Sequence, residues 1–170
     1  MSRPKHIPAI IGLFFGGLWG VSAALSLQPG WRIPIVLVVA IIIILLIFNL
    51  SRRNVLPGEA NKNLFGRNYY LLAVGLELLA IYVASVLLPR LGLQQYLIEV
   101  IGVIVGLHFI GHWKATKSTL FLKIAAGMCM FSILGAAFPY TYKLIHLRDF
   151  VASSGNALIL LYYAGGKIRN

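Results

Sequence analysis

The sequence predicts an all-α, polytopic membrane helix bundle of about six transmembrane helices. Three observations predict it. Hydrophobic residues make up 59% of the chain, charged residues only 11%, and the mean hydropathy is +0.87. Soluble domains carry about 25% charged residues, so a soluble core has no use for this much apolar surface. The apolar residues fall in runs near the roughly 20 residues that a helix needs to cross hydrocarbon. Turn-forming or basic residues separate the runs, leaving residues 1–170 as a single integral membrane domain.

The runs are 7–27, 33–50, 69–88, 96–113, 119–138 and 150–166. Behind Arg3 and Lys5, the first resembles a secretory signal with Val21-Ser22-Ala23 as its small-residue site. It is long enough to span and leads into further spans, so it is read as a transmembrane helix. Gly12, Gly16, Gly20 and Ala24 recur every four residues and give it one face almost without side chains, suited to packing on another span or another protomer. Gln28-Pro29-Gly30 turns the chain into the second run, and the polar connector Ser51 to Asn68 with Pro57-Gly58 leads to the third. Ala73, Ala80 and Ala84 flank Glu77 there, which points the carboxylate into the bundle. After Pro89-Arg90-Leu91-Gly92, the fourth run carries Glu99, Gly102, Gly106, His108 and His112. The fifth carries Lys123 one turn inside, where its stem can snorkel, and closes at Pro139. Ser153, Ser154 and Asn156 lie in the sixth. Cys129, the only cysteine, excludes an intramolecular disulfide framework and reads as a packing residue.

The segment Gly12 to Trp19, GLFFGGLW, aligns without gaps on Gly106 to Trp113, GLHFIGHW, with five of eight positions identical. Runs one and four would then head two three-span halves of opposite orientation, a 3+3 inverted repeat. The match fades over the remaining spans.

The net charge of +11 would suggest nucleic acid in a soluble protein. Here the basic residues sit between apolar runs and face lipid headgroups, so membrane lipids are expected as partners and nucleic acid is not. Arg3, Lys5, Arg52, Arg53, Lys62, Arg67, Lys114, Lys117, Lys167 and Arg169 fall on one side, and Arg32, Arg90, Lys143 and Arg148 on the other. Ten against four predicts a plasma-membrane protein with both termini in the cytoplasm. Trp31, Tyr69, Tyr70, Tyr96, Trp113, Tyr140 and Tyr142 at the span ends fit interfacial belts.

Ionisable groups inside hydrocarbon cost roughly 2.5–3.5 kcal/mol each on insertion scales, so those present need partners, water or a role. Glu77, Glu99, His108, Lys123 and Asn156 are therefore the candidate binding or translocation residues. Depth sorts the polar side chains into two tiers: Glu77, His108, His112 and Lys123 toward the cytoplasm, and Glu99, Ser153, Ser154 and Asn156 toward the outside. Glu77 is expected to pair with His108 or Lys123, and Glu99 with Asn156 or the serines. His108 and His112 share a helical face, and Glu99 lies nearly opposite. Two histidines at this spacing need a further ligand to hold a metal, and Glu77 is the only candidate. No metal or cofactor is expected, with His108 neutral and hydrogen-bonded and His112 interfacial. His146, Arg148 and Asp149 read as a solvated connector.

No aspartate lies within a span, no serine shares the depth of His108, and no phosphate-cradling loop is present. An enzyme is therefore not the leading expectation. The segment Val105-Gly106-Leu107-His108-Phe109 resembles a motif of small, uncharacterised, multi-span bacterial membrane proteins. The resemblance covers one span and implies a bacterial plasma-membrane protein of six or so helices, with no activity attached. A proline commonly follows the His-Phe pair in that motif, where this chain has Ile110-Gly111-His112.

These features together predict a small transporter or permease-like protein whose polar residues line a route for a small solute or proton. The alternative is a non-transporting interaction protein, a chaperone, immunity factor or complex subunit, using Gly12, Gly16 and Gly20 to dock a partner span or a second copy. A third is an intramembrane lipid-modifying enzyme with His108 and Glu77 as acid and base.

Overall fold

In the computed structural model, which describes residues 7–52, 68–138 and 145–165, the chain forms six α-helices: α1 (Ile7–Leu25), α2 (Pro29–Arg52), α3 (Asn68–Arg90), α4 (Leu97–Thr116), α5 (Thr119–Ala137) and α6 (Ile145–Gly165). The basic residues Arg3, Lys5, Arg53, Lys62, Arg67, Lys143, Lys167 and Arg169, and the Pro57-Gly58 and Pro139 breaks, lie outside the described residues. Among the described residues, four stretches are long and apolar enough to cross a membrane: Pro29–Asn49, Leu71–Arg90, Gln94–Thr116 and Thr119–Ala137. The apolar part of α1, Ile10–Leu25, is shorter.

Local chemistry places the ends. Helix α2 starts at Pro29, four residues ahead of the apolar run, because proline at the first helical position lacks only an N–H that would be unpartnered there anyway. The turn before it is held by the Arg32 Nε donating to the Leu27 carbonyl at 3.0 Å. Pro89 and Arg90 belong to the last turn of α3 and not to the loop. That helix stops in a Schellman arrangement, in which Leu93 N–H donates to the Leu88 carbonyl and Gly92 N–H to that of Pro89. Gly92 takes φ +71°, which glycine alone adopts without strain. A single 3-10 turn, Gln94–Tyr96, leads into α4. At the other end of α4, Thr116 Oγ1 donates to the His112 carbonyl and accepts from Ser118 N–H, and Lys117 at φ 61° reverses the chain into α5.

The centre is built by α1, α4, α5 and α6. Helix α1 packs along α6, α6 along α5 and α5 along α4, while α2 flanks α1 and α3 flanks α4. Helices α2 and α3 do not pack along each other, although α5 and α6 do, so the helix pairings within the two three-helix segments differ. The glycine face of α1 is filled from within the chain. A Cβ on Gly12 would meet Ala164 at 3.0 Å, one on Gly16 would meet Leu161 at 2.9 Å, and one on Gly20 would meet Val39 at 2.8 Å. Gly106 of α4 likewise admits Cys129 and the Ala125 carbonyl of α5. Trp19, Ile124, Met128, Ala157 and Leu160 form an apolar core cluster at the middle of these helices.

The outside is apolar as well. Leu37, Ile41, Ile44 and Leu45 of α2 and Leu72, Leu76, Leu79 and Tyr82 of α3 are exposed, and no residue in the apolar stretch of α2 is buried. A surface of this kind is stable only against lipid or protein.

Candidate functional site

Helix α4 carries two separate polar groups, one at each end of the apolar core. The first lies toward its C-terminus. His108 and His112, one turn apart, bring their Nε2 atoms to 2.6 Å. Glu77 of α3 places Oε2 3.2 Å from Nδ1 of His108. The distance is that of an ion pair, although the ring is not turned to form a linear hydrogen bond. His112 is buried rather than interfacial, stacked on Phe121 of α5 with ring centroids 5.2 Å apart and flanked by Phe109 at 5.5 Å. Lys123 is exposed on α5 and, among the described residues, forms no ion pair. Of the two partners expected for Glu77, the structure brings His108 to it.

The second group lies at the start of α4. Glu99 is 2% exposed, and its Oε1 accepts from Nη2 of Arg148 at 3.2 Å. Arg148 is 0% exposed and lies over the ring of Tyr96, 4.3 Å from its centroid. The expectation of a solvated connector is thus corrected for Arg148, and Tyr96 does more than sit in an interfacial belt. Asn156 Nδ2 donates to Ser132 Oγ at 3.2 Å, and Ser153 shares a hydrogen bond of 3.2 Å with Ser22 of α1. Gly102 makes the close approach of α4 to Ser132 and Asn156 feasible. Asn156 and the serines therefore satisfy helices α1, α5 and α6 while arginine takes the carboxylate of Glu99.

Sequence reading missed Arg148 because the sixth apolar run begins only at Phe150. The signal was nevertheless present. Arg148, Ala152 and Asn156 recur every four residues, and all three are 0% exposed on one face of α6. Extending the helix one turn toward its N-terminus carries the arginine onto that buried face.

Nine residues separate Glu99 from His108, roughly 13 Å along the helix axis, and over this length the apolar core cluster packs against Ile98, Ile101, Val105 and Phe109 of α4. A groove of about 200 Å³ opens between α4 and α5, lined by Tyr96, Glu99, Val103, Ile104, Ser132 and Ile133 among others; Glu77 and His108 do not border it. Among the described residues no three His, Cys, Asp or Glu side chains converge as a metal-binding group. Comparison of the chain with protein-family models, curated proteins and solved structures finds no match.

Proposed function

We propose that the protein is a small transporter or permease-like protein of the plasma membrane, with six spans and both termini in the cytoplasm. The observation that carries this reading is the pair of polar groups at opposite ends of α4: half-buried Glu77 and His108 with buried His112, and buried Glu99 with buried Arg148. Buried charge is costly in hydrocarbon, and its usual use in a bundle interior is to line the path of a solute or ion. Ser132, Asn156, Ser22 and Ser153 extend the outer group into the bundle, and the apolar core closes it from the inner one, as in an occluded conformer. Burial of Arg148 removes one of the four basic residues counted on the outer side, which strengthens the charge bias behind the cytoplasmic assignment of the termini. Helices α1 and α6 complete the six spans, since each packs its polar or small face on the other and on neighbouring spans.

The interaction-protein reading loses its main feature, because α6 and α2 of the same chain occupy the Gly12, Gly16 and Gly20 face. The lipid-enzyme reading keeps its acid and base, since Glu77 Oε2 and His108 Nδ1 lie 3.2 Å apart.

Liposome swelling tests the proposal. Proteoliposomes diluted into iso-osmotic glycerol, ammonium chloride or sodium acetate are expected to admit at least one of these probes faster than protein-free liposomes. Glu77→Gln and Glu99→Gln are each expected to reduce that entry at least tenfold, the equivalent of about 1.4 kcal/mol. Entry of all three probes at the protein-free rate, or unchanged entry in both variants, contradicts the proposal.

A further inference from the structure

We infer that Glu77, His108 and His112 form a proton relay in which one proton is shared across the contact between the two histidines. The geometry is restrictive. Two imidazole Nε2 atoms 2.6 Å apart require one N–H facing one bare lone pair, since two N–H groups or two lone pairs would repel. The rings are held in place on both sides. His112 is clasped by Phe121 and Phe109, and the His108 ring meets it edge-on at an interplanar angle of 80°.

Neighbours on three helices surround the pair. From α3 it meets Glu77 and the Ala73 backbone; from α5 it meets Phe121, while Lys123 is exposed; from α6 Tyr163 packs against the neighbouring apolar core; Lys114 on α4 itself is exposed. Only four acidic residues exist in the chain, and the two other described ones, Glu99 and Asp149, belong to the opposite end of the bundle. Among the described residues, Glu77 is thus the only carboxylate positioned to exchange a proton with the histidines.

The transfer balances without any co-reactant. A proton on the Glu77 carboxyl passes to the bare Nδ1 of His108 as the Nε2–H proton of His108 passes to the bare Nε2 of His112. One O–H and one N–H bond break, two N–H bonds form, Glu77 becomes a carboxylate and His112 an imidazolium. His108 ends neutral in its other tautomer, and a small ring rotation brings its Nδ1 into line with Glu77. The reverse sequence carries a proton back.

The use of this relay in transport rests on the permease reading, but the relay itself can be observed without any solute. Nitrogen NMR of histidine-labelled protein in lipid vesicles at neutral pH is expected to show one Nε2 protonated and the other bare, with coupling across the contact. His112→Gln should change the Nε2 signal of His108, Glu77→Gln its Nδ1 signal, and Lys123→Gln neither. Two protonated or two bare Nε2 atoms, or His108 signals unchanged in both of the first two variants, overturn the relay. An intact relay in protein that admits no solute would instead count against the permease reading alone.

Discussion

Replacing Arg148 by methionine is expected to destabilise the folded protein by about 3–5 kcal/mol, because Glu99 then remains buried without its counter-charge. Glu99 and Arg148 are 2% and 0% exposed, so neither can turn to water when the other is removed. Glu99→Met should cost a similar amount by taking the carboxylate from the buried guanidinium. The double variant should recover most of the loss, since exchanging both members of a buried ion pair for apolar side chains of similar volume is often neutral or stabilising. Thermal unfolding of the four proteins in detergent closes this double-mutant cycle. Single variants that melt with the parent protein would show that the pair is open to solvent.

Glycine-to-alanine substitutions on neighbouring helices are expected to act with opposite sign. A Cβ on Gly102 overlaps Ser132 Oγ and Asn156 Nδ2, so Gly102→Ala must push α4 from α5 and α6 or break the hydrogen bond between those two side chains. Overpacking of this kind costs about 1–3 kcal/mol. Gly75 lies on the exposed side of α3 with nothing within 4 Å of the same added atom. Gly75→Ala should therefore stabilise, by about 0.5–1 kcal/mol, as glycine leaves a helix interior. Melting temperatures moving in the same direction would contradict the close approach at Gly102.

The helices were legible because hydrophobic runs and their breaks are local properties of the chain. Six helices lie where those runs fall, and four are long and apolar enough to cross a membrane. The ends were less legible: Pro29 opens α2, where proline at the first helical position is tolerated, and α3 runs on through Pro89 and Arg90, which have the composition of a turn. The glycine pattern of α1 marked a packing face but not its occupant, because sequence spacing does not say which helix arrives there. Pairing is a tertiary property. Depth brought Glu77 to the level of His108, and the fold puts them 3.2 Å apart. Depth alone pairs Glu99 with Asn156 or the serines, because Arg148 stands two residues before the apolar run and only the extra helical turn brings it inside to Glu99.

The proposed function places the two polar groups at the ends of α4 in opposite halves of the membrane, which requires α4 to cross the bilayer with its ends on opposite sides. That crossing is tested most directly with single cysteines at Gln94→Cys and Ser118→Cys, the residues beyond each end of α4, in a Cys129→Ala background. In intact cells a membrane-impermeant maleimide should label the cysteine at position 94 and spare that at position 118, and inverted membrane vesicles should reverse the pattern. Labelling of both positions from the same side would contradict the spanning of α4, and with it the placement of Glu77 and Glu99 in opposite halves of the membrane.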